Sequence, residues 1–150
     1  MGTESDIEKG APPFKFPSFE HEEGEIERVQ AYFQIKTENF VQKFLEKARA
    51  TQLVQLTDEI WDTVENTDSH SDNILRGDWD KVAECSDAHE VKRDWQTPKR
   101  KLQTGEPVHA PVIARRGDIL HLVAGNTRLM VARALGIKPD VLIVNITDFQ

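Results

Sequence analysis

Residues Pro111 to Ile146 read PVIARRGDILHLVAGNTRLMVARALGIKPDVLIVNI, and this stretch decides the fold. Its apolar runs, turn residues and helical stripe parse as strand, turn, strand, loop, helix, strand. Strands are predicted over Val108 to Ala114, Ile119 to Val123 and Val141 to Ile146. The helix between the last two carries Leu129, Met130, Ala132, Ala134 and Leu135 on its apolar side. The expected architecture is α/β (α+β), a small mixed sheet with a helical N-terminal segment packed on it.

The centre of the stretch, Gly125-Asn126-Thr127-Arg128, is the candidate binding site. An apolar strand ends there and an amphipathic helix begins, so unpaired backbone N–H groups and a partial positive charge face outward. Gly125 would let the backbone approach a ligand closely, Asn126 or Thr127 would serve as N-cap, and Arg128 adds a planar fork suited to phosphate. The same residues also suffice simply to turn and cap the chain. Both readings stand on spacing alone.

The stretch resembles the core of the ParB/sulfiredoxin-like superfamily, and the resemblance spans about residues 95–147. It is carried by Asp118, Gly125, Arg128, Leu129, Ala132, Leu135, Gly136 and the closing strand Val141 to Ile146. The resemblance implies that Gly125, Asn126, Thr127 and Arg128 grip nucleotide phosphates. A nucleoside triphosphate with Mg2+ is the cofactor it implies, with hydrolysis or phosphoryl transfer as the associated chemistry. It also implies a home on phages or plasmids, where small ParB-like proteins are common.

Departures from the family pattern narrow this. Sulfiredoxins place a nucleophilic cysteine in the loop, whereas Asn126 and Thr127 stand there and Cys85, the only cysteine, lies elsewhere. Sulfinic-acid reduction is therefore not expected. Partition proteins show Gly-Glu-Arg-Arg in the loop and a second motif downstream. Here Asn126 and Thr127 replace the glutamate and the first arginine, and no such motif follows before Gln150. A complete partition protein is not expected either.

Composition bounds the remaining choices. A chain of 150 residues with 38% hydrophobic and 30% charged residues fits one compact domain. It contains no long apolar window and no signal-like start, so a cytoplasmic protein with no membrane partner is expected. Met1-Gly2 suggests an acyl site, but Asp6 stands where Ser or Thr is wanted. The net charge of −7 argues against nonspecific coating of nucleic acid. A basic stretch from Lys92 and Arg93 through Lys99, Arg100 and Lys101, with Arg115 and Arg116 later, is either a phosphate-facing surface or a solvated face.

Outward from the core, residues 1–13 read as a flexible tail and 14–94 as a mainly helical segment of the same domain. Phe14, Phe16 and Phe19 around Pro17 suggest a short edge strand or an extended segment that pins the tail to the core, with an interaction motif as the alternative. Ile26, Val29, Tyr32, Phe33 and Ile35 form one helical stripe. Phe40, Val41, Phe44, Leu45 and Ala48, after a Thr37 cap, form a second. A third helix is predicted from Thr51 or Thr57 through Glu65, carrying Leu53, Leu56, Ile60, Trp61 and Val64. These stripes suit the sheet face or a homodimer interface.

Residues 66–73 are all loop or capping types. Asp68, His70 and Asp72 alternate there, but no second ligand cluster lies nearby and no calcium-loop pattern follows, so a flexible connector is expected. A short helix is predicted over Asp78 to Cys85 and another after Thr97-Pro98, stopping at Gly105. His89, near Asp87, Glu90 and Asp94, is either a polarised base or an ordinary surface histidine. Strand alternation puts His121 on a face with Ile119 and Val123, so it is a satisfied, partly buried residue or one leaning toward the Gly125 loop.

Three function classes follow. The first is a nucleotide-binding or phosphoryl-transfer domain, whose carboxylate would come from Asp118, Glu106, Asp94, Asp87 or the acidic group from Glu22 to Glu25. The second is a DNA-associated module, a ParB-like nuclease or regulator using Lys99, Arg100 and Lys101. The third is a catalytically silent interaction scaffold.

Overall fold

The computed structural model describes residues 13–67, 74–88 and 93–150. The tail's first twelve residues, the loop residues Asp68, His70 and Asp72, and His89, Glu90 and Lys92 lie outside the described residues.

The described chain builds a mixed α/β fold around a five-stranded sheet. Its centre is β5 (Val112–Arg116), flanked by β6 (Ile119–Ala124) and β7 (Asp140–Asn145). β5 and β6 form the expected hairpin, turning through Gly117, and β7 runs parallel to β5 on its other side. The edges are two short strands from the N-terminal half. β2 (Val54–Gln55) pairs antiparallel to β7, and β3 (Val64–Glu65) pairs parallel to β6. The sheet order is therefore β2, β7, β5, β6, β3.

Here the structure departs from the predicted third helix. Of Thr51 to Glu65, only α3 (Asp58–Trp61) is helical, and Thr57 caps it by accepting from the Ile60 amide at 3.3 Å. The apolar spacing that suggested a helix instead serves two strands and one turn. Leu56, Trp61 and Val64 all reach the core this way. A short run with apolar residues every three or four positions does not distinguish these outcomes, and pairing with β6 and β7 decided it.

The strand expected over Val108 to Ala114 is broken at Ala110-Pro111. β4 (Val108–His109) forms a separate parallel ladder with β1 (Phe14–Lys15), and β5 begins only after Pro111. Phe14 is buried and Phe16 exposed, so of the readings its sequence left open, the phenylalanine segment begins as a short strand anchored by Phe14.

Helices cover both faces of the sheet. α1 (Glu23–Tyr32) and α2 (Phe40–Arg49) place Ile26, Val29, Phe40 and Phe44 against Val112, Ala114, Val123, Leu142 and Val144. On the other face α4 (Trp79–Asp87), α5 (Gln96–Thr104) and α6 (Asn126–Leu135) pack over Ile113, Leu122 and Val141. The strict alternation of β5 and β7 is what serves two cores at once. Leu129, Met130, Val131, Ala132 and Ala134 are all buried, so α6 is apolar over most of its circumference. Among the described residues, no helix is long and apolar enough to cross a membrane.

Helix ends also follow local chemistry. α5 stops at Gly105, which adopts φ +82°, as predicted. Its N-cap position is Trp95 rather than Thr97, and Asp94 just before it serves the first amides. The Asp94 carboxylate accepts from the amides of Gln96 and Thr97 and from the Thr97 hydroxyl, and these bonds hold its carboxyl below the usual carboxylate range.

One polar group is poorly served. Ser86 is fully buried on α4, and its Oγ has no hydrogen-bond partner among the described residues. An unsatisfied buried hydroxyl costs about 1–3 kcal/mol. Ser86→Ala is therefore expected to stabilise the fold by about 1 kcal/mol in a urea titration. A loss of stability would show that the hydroxyl is bonded after all.

Candidate functional site

The head of α6 is shaped by packing before any ligand is considered. Between Val112 and Ile113 the β5–β6 register shifts, because Val112 faces Ala124 while Ile113 faces Leu122. This bulge at Val123 re-aims the end of β6. Gly125 follows at φ +109° and forms the N-cap of α6. A Cβ added there would lie 2.7 Å from Pro111 Cβ and 2.8 Å from Pro111 Cα. The close backbone approach that the sequence suggested for a ligand is thus an approach to Pro111.

The neighbouring residues also have protein partners. Neither Asn126 nor Thr127 is the N-cap, because Gly125 occupies that position and no side chain caps the helix. Asn126 Oδ1 instead accepts from the Thr67 hydroxyl at 2.9 Å. Arg128 Nη1 donates to the His109 carbonyl at 2.6 Å, which ties α6 to the β1–β4 ladder. Burial lowers the Arg128 guanidinium pKa, and the Glu22 carboxylate works against that shift. Leu129 is the residue whose amide first bonds back, to Gly125 O at 2.9 Å. The earlier amides of the turn have no acceptor within the helix.

All four residues line a cavity of about 690 Å³. Its floor is the end of β6, Leu122 to Ala124. One wall is Val64, Glu65, Asn66 and Thr67. The opposite wall is His21, Glu22, Glu25 and Arg28 at the start of α1, and Arg93 completes the lining. Three guanidinium groups and three carboxylates therefore share one space. Arg28 is tied to Glu25 at 2.8 Å. Burial raises the Glu22 carboxyl pKa above its usual value, while the nearby Arg128 and Arg93 pull it back down.

Two of the lining residues hold left-handed backbone without being glycine, His21 at φ 68° and Asn66 at φ 67°. Asn66 has a visible compensation, since its Nδ2 donates to Leu122 O at 3.1 Å beside the bulge. Such positions persist only where surrounding contacts over-determine them.

His121 is placed elsewhere, in an aromatic cluster behind the wall. Its ring stacks on Tyr32 at 4.2 Å, meets Phe33 edge-on, and brings Nδ1 to 3.4 Å from Glu65 Oε1. Strand alternation read its face correctly, and it serves as a packed, partnered residue.

The acidic candidates also sort themselves. Asp118, Glu106, Asp94 and Asp87 do not line the cavity, whereas Glu22 and Glu25 do. Among the described residues, no group of three or more His, Cys, Asp or Glu side chains is arranged to hold a metal ion. The basic stretch is divided. Lys99 sits 4.1 Å above the Trp79 ring, Arg116 donates to Phe149 O at 2.8 Å, and Arg100 and Arg115 are exposed on different elements.

His21, Arg28, Glu65, Asn66 and Thr67 were not singled out by the sequence. Asn66-Thr67 was visible only as a break, and Glu65 was read as the end of a helix. Once β3 is a strand, Glu65 pairs with His121 and its neighbourhood becomes predictable.

Two outcomes are expected. Gly125→Ala should destabilise the protein by about 2–4 kcal/mol, because it adds left-handed strain to a collision with Pro111. Chemical denaturation measures this, and a neutral result would contradict the packing role. For Glu22, a raised folded-state pKa means that stability is fully present below the unfolded value and is lost as pH rises through the folded one. Glu22→Gln should therefore melt higher than wild type near pH 7–8, the difference disappearing below about pH 4. Equal melting temperatures throughout would remove the burial argument.

The chain matches no family model, and no protein of curated function and no solved structure matches it.

Proposed function

We propose that the cavity at the head of α6 binds the phosphate groups of a nucleotide, on a core of the ParB/sulfiredoxin-like kind. The observation that carries this reading is the convergence of the α6 N-terminus and the guanidinium groups of Arg28, Arg93 and Arg128 on one cavity of about 690 Å³. Helix N-termini and arginine forks both favour phosphate oxygens. The volume also lies within the usual range of small-molecule sites.

The order of elements supports the resemblance. β5, a tight turn, β6, Gly125-x-x-Arg128, α6 and β7 follow one another as the family pattern requires. The role of Arg128 differs from the one the resemblance implies. It holds the His109 carbonyl and stands beside Glu22, so Arg93 is the cavity arginine more accessible to an incoming anion.

Glu22 supplies the carboxylate that the loop alone lacked. A carboxyl whose pKa is raised by burial, close to bound phosphate, is suited to accept or return a proton during hydrolysis or phosphoryl transfer. Mg2+ would arrive with the triphosphate and neutralise its charge near Glu22 and Glu25.

A thermal-shift screen of ATP, GTP, CTP and UTP, each with and without Mg2+, tests the reading. At least one triphosphate should raise the melting temperature by several degrees at millimolar concentration. Arg93→Gln should leave the ligand-free melting temperature unchanged and abolish the shift. Arg128→Ala should lower the ligand-free value as well, since it breaks the part-buried hydrogen bond to the His109 carbonyl. Absence of a shift with every triphosphate would reject the proposal.

A further inference from the structure

Glu65 occupies a different position in the cavity from the other two carboxylates. Glu25 is paired with Arg28, and Glu22 faces Arg128 and Arg93. Glu65 forms no ion pair with Lys or Arg among the described residues, although it lines the same space. Its Oε1 instead accepts from the Tyr32 hydroxyl at 2.8 Å and lies 3.4 Å from His121 Nδ1.

These contacts fix a carboxylate in place with no Lys or Arg beside it among the described residues. Tyr32 is stacked on His121, and β3 is held in register with β6 at Glu65 and His121. One carboxylate oxygen is thereby committed to the protein, and the other is left to accept from a ligand. A carboxylate so placed repels phosphate. Among the described residues, no group of three or more His, Cys, Asp or Glu side chains forms around it. The partners suited to such a pre-oriented acceptor are neutral donors, hydroxyl or N–H groups, and in a nucleotide the hydroxyls stand nearer the phosphates than the base N–H groups do. In a nucleotide whose phosphates lie against α6 and the arginines, the neutral hydroxyls are those of the sugar.

We propose that Glu65, positioned by Tyr32 and His121, accepts hydrogen bonds from the ribose hydroxyls and makes the cavity selective for ribonucleotides over deoxyribonucleotides. The inference rests on the nucleotide reading above, and it assigns the sugar end of that site. A site that hydrogen-bonds a hydroxyl through a charged group rejects the analogue lacking it, here on the order of ten- to a hundredfold.

Calorimetric titration of the full chain with ATP, GTP, CTP and UTP, each beside its 2′-deoxy and 2′,3′-dideoxy counterpart, tests this. The ribonucleotide should bind at least tenfold more tightly than its deoxy forms. Glu65→Ala should erase that preference while retaining binding of the triphosphate. Tyr32→Phe, a conservative change at an exposed ring, should narrow the preference without lowering the melting temperature appreciably. Equal affinity for ribo and deoxy forms, or a preference unchanged by Glu65→Ala, would overturn the assignment of Glu65 and leave phosphate binding standing. Failure of every nucleotide to bind would remove both.

Discussion

The contact between Gly125 and Pro111 is the constraint on which the site depends. It joins the end of β6 to the residue before β5, at the point where the β5–β6 register shifts. Pro111 also accepts the Leu142 amide through its carbonyl at 2.9 Å, so the same residue locates β7. Three strands and the start of α6 therefore meet around one missing side chain. With any Cβ present, either the bulge or the helix axis must move, and the amides of the first turn move with it.

Charge in the cavity is balanced locally rather than in bulk. The chain is acidic as a whole, yet Arg28, Arg93 and Arg128 meet in one cavity beside the α6 head. Each arginine is under different control. Arg28 is held by Glu25, Arg128 by a backbone carbonyl and by burial, and Arg93 emerges beside the end of α4, where its amide bonds to Ser86 O. Glu22 lies among them with its ionisation resisted by burial. An arriving anion would exchange solvent for guanidinium groups and helix amides, and its negative charge would shift the Glu22 carboxyl further in the raised direction.

Much of this architecture was legible from the chain. The β5–β6–α6–β7 order, the Gly105 stop and the two long apolar stripes of α1 and α2 all follow from periodicity and turn chemistry. Those signals are local, so one sequence suffices to read them. The stretch from Val54 to Glu65 was not legible, because its residues are placed by partners far along the chain. Val54 pairs with Val141 and Val64 with Leu120. Two-residue strands have no periodicity of their own, and Leu56, Trp61 and Val64 imitate a helical stripe. The candidate loop was found, but the purposes of Gly125, Asn126 and Arg128 depend on Pro111, Thr67 and His109. None of these is adjacent in sequence, and only the fold brings them together.

The aromatic arrangement behind α5 has an optical consequence. Trp79 and Trp95 stack with centroids 5.7 Å apart and rings inclined by 21°, and the Lys99 ammonium lies over them at 4.1 and 5.7 Å. The chain's third tryptophan, Trp61, is buried beneath the Arg133 guanidinium. Two coupled indoles at this spacing give an exciton signal in circular dichroism. Trp95 is two residues from Arg93, on the same backbone that borders the cavity. The molecule thus carries an unlabelled spectroscopic marker of the packing between the start of α4 and the start of α5.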